Sequence, residues 1–582
     1  MSIFTKSDRP ASPEPKPAED DPTTDVRPEP APGDDATPGG RGRVRRIASG
    51  VLTALAVLFV FVALVAPDQH TRLTLGSFVR IPVEGLIGAA LLLVLPGLAR
   101  KIVAVIAGVF LGLLILVQAL DFGFWTSLNR QFDLVADWGL LDDGVAFLRD
   151  AIGRAGSITA VIVAVVLAIA VVVFMALSVL RLSRVAARHR TGTARGIAVL
   201  AVAWVACALL GAQFVTGVPV AARSEADLVH SRALMVQAGL RDKKAFAAAI
   251  ATDKFHDTPG NQMLTALRGK DVIVSFVESY GRSALEDPQQ AAIVDPVLAA
   301  GTQQLKAAGF SARSGFLTSS TFGGYSWLAH STFQSGLLIN GQQRYRTLVS
   351  TDRLTLTSAF RRAGWQTVAF EPDNTYAWPE GDFYGYQRVY DSRNLDYAGP
   401  HFGWSTMPDQ YTLAEFQRRE YGKPHAPMMA EITLTSSHTP WAPIPQLVDW
   451  NAVGNGTIYG PQEKAGNSPE SVWKDSSKVR TEYAKSIAYS VGSLVSWAEK
   501  YGNDNLVLIF FGDHQAASIV SGKNATHDVP ITIVAHDPAV LDRIAPWGWQ
   551  DGLKPNPQAP VWPMEAFRDK FLTAFGPQGD PQ

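Results

Sequence analysis

The sequence predicts an α-helical membrane domain of five transmembrane helices followed by an α/β domain with a mostly parallel central sheet. Three observations carry this. Five apolar stretches, at 47–66, 83–99, 102–120, 157–180 and 196–216, fall within 170 residues. Beyond about Val218, apolar runs of strand length alternate with stretches of helical periodicity. The 582 residues sum to a net charge of −1, yet the charges are segregated, with several of the apolar stretches carrying none.

The first 40 residues hold nine prolines, nine acidic residues and no apolar periodicity. Such a segment cannot bury enough surface to offset its ordering entropy, so it is expected to be a disordered tail. A signal peptide is excluded, because the first apolar stretch begins only at Ile47. About 20 apolar residues in a helix cross a hydrocarbon core of about 30 Å. The stretches 47–66 and 102–120 meet that length without a charge, whereas 83–99 is shorter and carries Glu84. Arg41, Arg43, Arg45 and Arg46 precede the first stretch; Arg100 and Lys101 separate the second and third; five arginines separate the fourth and fifth. Basic loops stay on the cytoplasmic side, so the tail is expected inside and everything after the fifth span outside. The loop 121–156, with six aspartates and three arginines, reads as interfacial helices. The expected division is a tail 1–40, a membrane domain 41–220, linker helices 221–262 and an outer domain 263–576. The near-zero net charge argues against a nucleic-acid binder. The single cysteine excludes a disulfide framework and a cysteine zinc site.

In the outer domain, strands are expected at 271–277, 366–370, 428–434, 505–511 and 530–534, with a long amphipathic helix at 479–500. Strands separated by helices build a parallel sheet, and chemistry gathers at the carboxyl ends of its strands. The first strand ends in Glu278-Ser279-Tyr280-Gly281 and the fourth in Gly512-Asp513-His514-Gln515. A carboxylate after a strand is usually a helix cap. Two carboxylates and a histidine at two strand tips better suit a divalent cation such as Mn²⁺ or Zn²⁺, less obviously Mg²⁺. Gly323-Gly324 breaks the chain before Ser326, and Leu328, Thr332 and Ser335 follow at helical spacings. Ser326 is then either an N-cap or a nucleophile at a helix start, which also suits phosphate oxygens. Thr321 is the backup nucleophile. His438 follows the third strand and His527 precedes the fifth.

The order of these motifs resembles the lipoteichoic acid synthase and phosphoethanolamine transferase group, within the sulfatase and alkaline phosphatase superfamily. The resemblance covers the five spans loosely and about 270–536 in motif order. It implies an alkaline phosphatase/sulfatase-like fold and makes Glu278, Asp513 and His514 metal ligands. Ser326 then replaces the group's threonine nucleophile, which also touches the metal. His438 matches a substrate-pocket histidine. His527 matches one that contacts phosphate or a second metal. Trp378 matches the tryptophan of a Trp-x-Arg motif, but Glu380 stands where the arginine would hold glycerol phosphate. Trp378, Glu380, His438 and His527 are thus the expected substrate contacts. The implied cofactor is one divalent cation, Mn²⁺ first, with Zn²⁺ or Mg²⁺ as alternatives.

The resemblance also implies a multi-pass cell-membrane transferase with its catalytic domain outside. Such an enzyme would move a phosphoryl-alcohol group, of the phosphoglycerol or phosphoethanolamine type, through a phospho-serine. The implied partners are a phospholipid donor, an envelope glycan or glycolipid acceptor, and the membrane. Sulfatase activity is not expected: Ser326 is followed by Trp-Leu-Ala-His rather than a formylglycine motif, and Cys207 lies in the fifth span. The alternatives are a phosphodiesterase or phosphatase using water and a non-catalytic envelope-binding protein. A transporter would be expected to carry charges within its spans, and here only Glu84 lies near an edge.

Overall fold

A computed structural model describes residues 39–65, 78–128, 130–135, 137–215, 218–222 and 224–577. The expected disordered tail lies outside these residues except for Gly39 and Gly40, which begin a helix. The chain divides into two units, Met1–Leu55 and Ala56–Gln582. The described part of the first is the beginning of helix α1 (Gly39–Val65); the second holds the remaining architecture.

Among the described residues, four helices are long and apolar enough to cross a membrane: Val44–Val65, Gly97–Trp125, Ile152–Arg188 and Arg190–Leu210. Their apolar side chains, such as Val166, Leu167 and Ile169, are exposed, the pattern a membrane-crossing helix requires. The second expected span differs. It forms α2 (Val83–Val94), a helix of 12 residues that rises only about 18 Å. Pro96 follows its C-cap, and a proline cannot continue the helix. The two residues before α2 pair with the segment after the last long helix, Ile81 with Ala221 and Pro82 with Ala222. The fifth expected span, 196–216, is shifted: α5 (Arg190–Leu210) stops where Gly211 turns left-handed. Of the expected interfacial helices, 139–152 is the first part of α4 (Gly139–Arg188), which bends at Gly153 (φ 74°).

Helix α3 (Gly97–Leu128) packs closely on α4. A Cβ at Gly108 would lie 2.5 Å from the Ala176 Cα, and one at Gly112 2.8 Å from the Val172 Cα. The Gly-x-x-x-Gly spacing therefore lets two apolar helices approach where lipid supplies no hydrophobic drive. Helix α6 (Ser224–Ala251) lies within the stretch expected to form linker helices. Its Arg232 pairs with the fully buried Asp121 at the end of α3. Its Asp242 pairs with Arg344 of the α/β domain.

Among the described residues, the α/β domain is built on a nine-stranded sheet. Its strands are β1 (Asp271–Val277), β2 (Ser311–Thr318), β3 (Gln366–Glu371), β4 (Arg388–Asp391), β5 (Met428–Leu434), β6 (Leu506–Gly512), β7 (Asp528–Ala535), β8 (Gln550–Asp551) and β9 (Val561–Pro563). The order is β8-β2-β7-β6-β1-β5-β3-β4, with β9 beside β2. The run β6-β1-β5-β3-β4 is parallel, and β7 and β2 continue it antiparallel. Every residue of β1, β5, β6 and β7 is buried, which is why these strands read as continuous apolar runs. Helices α7 (Pro288–Ala307), α8 (Ser326–Ser335), α9 (Ser476–Tyr501) and α10 (Ala566–Phe575) cover the sheet. The strands that escape sequence reading are β2, β4, β8 and β9. Three of them have four residues or fewer, and β2 (SARSGFLT) begins polar and carries a glycine.

Candidate active site

The parallel register pairs Gly512 of β6 with Val277 of β1. The next residue on each strand is a carboxylate, Asp513 and Glu278, so adjacent strands about 4.8 Å apart deliver two acids to one point. The turn after Glu278 is tightly held. Ser279 adopts a left-handed conformation (φ 57°), its amide donates to Asp513 Oδ1 at 2.8 Å and its carbonyl accepts from the Tyr483 hydroxyl at 2.8 Å. The Ser279 hydroxyl donates to Glu278 Oε1 at 2.7 Å.

His514 turns its Nδ1 to the Gln515 carbonyl at 2.9 Å. Its Nε2 therefore faces the acids, 3.4 Å from Glu278 Oε1 and 3.6 Å from Asp513 Oδ2. Gly323 and Gly324 take positive φ angles, and Tyr325 occupies the N-cap of α8 in a left-handed conformation with no side-chain capping bond. Ser326 is thus the first helical residue and not the cap. Its hydroxyl donates to Glu278 Oε2 at 2.8 Å and lies 3.2 Å from His514 Nε2. Thr321 is occupied elsewhere, donating to the Gly324 carbonyl at 2.6 Å.

One ligand atom from each of Glu278, Asp513 and His514 lies within 4.8 Å of the others. Asp513 Oδ2 is buried without a hydrogen-bond partner, an arrangement that costs free energy unless a cation completes it. The group set of two carboxylates, one imidazole and a hydroxyl fits a divalent cation of borderline hardness. Burial, the Glu278 charge and other contacts push the Asp513 carboxyl up to about 7. Burial works against the charged form of His514, but Asp513 and Glu278 outweigh it and raise the imidazole to about 9. Burial also raises Glu278, yet His514 and His438 hold its carboxyl well below the usual range.

Cation affinity at this cluster should therefore depend on pH. Binding a cation requires both Asp513 and His514 deprotonated. Below pH 7 two protons compete, between 7 and 9 one does, and above 9 none. The affinity for Mn²⁺ should therefore rise about tenfold per pH unit between 7 and 9 and more steeply below 7. Calorimetric titration at several pH values checks this; an affinity constant from pH 6 to 9 would exclude these groups as ligands.

The remaining expected residues sit around this cluster unevenly. His438 follows β5, 5.6 Å from the Trp404 ring, with Nδ1 2.7 Å from the Thr439 carbonyl. It acts to lower the carboxyls of both Glu278 and Asp373. His527 places Nδ1 3.3 Å from the Ser319 carbonyl, and Ser319 in turn donates to the Asp513 carbonyl. His527 also lines a cavity of about 740 Å³ with Thr321, Tyr325, Arg130 and Lys243. Trp378 packs on Tyr384 and Tyr386, with ring centres 5.4 and 6.0 Å away. Glu380 caps the short helix Gly381–Tyr384 through its backbone; no described contact ties its side chain to the cluster. Asp373 escaped sequence reading. Burial raises its carboxyl despite the bond from the Thr406 amide at 2.9 Å. It lies two residues past β3, so the strand-end rule that found Glu278 reaches it once β3 is read to its end.

Residues 270–530 match the family model described as Sulfatase. Among solved structures, the lipoteichoic acid synthase LtaP from Listeria monocytogenes is 14% identical, covering 55% of this chain and 74% of that chain, with a TM-score of 0.37. The phosphoglycerol transferase GacH from Streptococcus pyogenes, in complex with sn-glycerol-1-phosphate, is 13% identical over 50% of this chain and 74% of that one, with a TM-score of 0.32. The soluble domain of lipooligosaccharide phosphoethanolamine transferase A from Neisseria meningitidis is 15% identical over 55% and 93%, with a TM-score of 0.34. Comparison with curated protein sequences finds no match.

Proposed function

We propose that this chain is a membrane-anchored, cation-dependent phosphotransferase that moves a phosphoryl-alcohol group from a phospholipid to an envelope glycan or glycolipid. The observation that carries the reading is the Ser326 hydroxyl, held at a helix start between Glu278 and His514. The sulfatase-family match supports it. The basic loops support a cytoplasmic N-terminus and an outer catalytic domain, where a lipid phosphodiester is an available donor.

A divalent cation held by Glu278, Asp513 and His514 would neutralise phosphate charge and lower the pKa of an adjacent hydroxyl. Ser326 Oγ, its proton released to water, forms the bond to phosphorus, and the phosphorus–oxygen bond to the lipid alcohol breaks. The N-terminus of α8 favours the phosphate anion. The leaving oxygen needs a proton, supplied by His438 first and His527 second. In each, Nδ1 faces a backbone carbonyl. Nδ1 therefore keeps its hydrogen, and Nε2 is the atom that exchanges a proton with substrate. The acceptor hydroxyl then gives a proton to the same imidazole and displaces the Ser326 oxygen from phosphorus.

The test uses full-length protein in detergent with Mn²⁺ and a phospholipid carrying labelled headgroup phosphate. Label should accumulate on Ser326 without acceptor and pass to a glycolipid when one is added. Release of label to water at the same rate with and without acceptor would make the chain a hydrolase instead.

A further inference from the structure

We propose that His330, Glu371 and Glu431 form a second divalent-cation site, distinct from the Glu278, Asp513 and His514 cluster. The sheet brings the two acids together. Glu431 of β5 pairs with Ala369 of β3, and Glu371 lies two residues further along β3, on the same face. Helix α8 lays His330 over that face, one turn beyond Ser326. One ligand atom from each of the three residues lies within 4.8 Å of the others.

Several observations say that this cluster lacks a partner. The buried atoms His330 Nε2 and Glu371 Oε1 have no hydrogen-bond partner. Tyr386, 6% exposed, faces the same two carboxyls. The other carboxyl oxygens are only partly satisfied. Thr433 donates to Glu371 Oε2 at 2.9 Å, and Gln334 donates to Glu431 Oε2. Among the described ion pairs, no lysine or arginine reaches either acid, so two buried carboxyls face each other uncompensated. Burial raises Glu431 to about 7, and burial with the Glu431 charge raises Glu371 well above its usual range.

The histidine is in the form a cation needs. Burial lowers His330 to about 3 and keeps the imidazole neutral. Phe276 stacks on the ring at 3.6 Å and fixes its orientation. One imidazole nitrogen and two carboxylate oxygens suit a cation of borderline hardness such as Mn²⁺ or Zn²⁺. A cation here would join α8, the carrier of Ser326, to β3 and β5. The inference rests on this geometry and is independent of the transferase reading.

Metal counting tests it. Full-length protein is stripped with chelator, dialysed against Mn²⁺ alone and analysed for bound metal. The wild type should hold two ions per chain, Glu431→Gln and His330→Gln one each, Asp513→Asn one, and the Asp513→Asn/Glu431→Gln double variant none. Glu431→Gln removes one of two facing acids, so its metal-free form should melt no lower than the wild type. If that variant fails to fold, His330→Gln decides by the same count. A wild type that binds one ion, with Glu431→Gln and His330→Gln unchanged, would overturn the site and leave a proton-sharing carboxyl pair.

Discussion

Ser326→Ala should abolish transfer while leaving the protein folded and able to bind its cation. The Ser326 hydroxyl is the group placed against both Glu278, at 2.8 Å, and His514. The nearest alternative, Thr321, spends its hydroxyl on the Gly324 carbonyl in the turn before α8. Removing a nucleophile held in this way typically lowers turnover by on the order of 10⁴ to 10⁶. The charged ligands Glu278, Asp513 and His514 are untouched, so Mn²⁺ binding should change little. Stability should also change little, within about 1 kcal/mol, because Ser326 is half-buried and does not cap the helix. Three measurements check this together: turnover of labelled lipid, Mn²⁺ binding, and mass spectrometry of the phospho-enzyme. Ser326→Thr keeps a hydroxyl and should restore measurable activity. An alanine variant of full activity would move the nucleophile elsewhere.

Asp513→Asn should produce the second large effect, by a different route. Asp513 is fully buried. Its Oδ1 accepts from the Ser279 and His514 amides at 2.8 and 2.7 Å, and an asparagine oxygen can keep both bonds. What is lost is the charge on Oδ2, the atom with no partner. Loss of even an outer partner of a metal site weakens binding 10- to 100-fold, so loss of a direct ligand should exceed about 100-fold and take activity with it. The metal-free protein should respond in the opposite direction. Burial raises the Asp513 carboxyl to about 7, so its folded-state pKa exceeds the unfolded value of about 3.9. The wild type then loses stability as pH rises from about 4 through 7. At pH 8, metal-free Asp513→Asn should melt at or above the metal-free wild type, whereas saturating Mn²⁺ should raise the melting temperature of the wild type more. A variant that binds Mn²⁺ as tightly as the wild type would remove Asp513 from the ligand set.

Much of this molecule is legible along the chain, because burial imprints itself locally. Strands buried on both faces must be continuously apolar, and this is why β1 and β5 are readable to the residue. The same rule draws attention to Glu278, Asp513 and His514, which interrupt apolar runs at strand tips. Membrane helices are readable for a similar reason, with one instructive failure. The stretch 83–99 has the composition of a span, but Pro96 follows the C-cap of α2 and the helix has 12 residues. The non-helical backbone at Gly153 (φ 74°) separates the expected interfacial helix from the span after it.

Convergence between distant residues leaves no such imprint. Ser279 and Asp513 are 234 positions apart, and their hydrogen bond exists because β6 pairs with β1 in one register. Ser326 admits two roles in the sequence; the left-handed Tyr325 moves the cap back by one residue and turns the hydroxyl onto Glu278. Trp378, expected in the substrate pocket, packs on Tyr384 and Tyr386. Glu371 and Glu431 carry no motif, and they face each other because β3 and β5 are parallel neighbours. Local hydrophobic pattern thus establishes which segments are buried and where they end. Strand pairing and helix placement establish which of those ends meet, since neither is encoded in the spacing of any single segment.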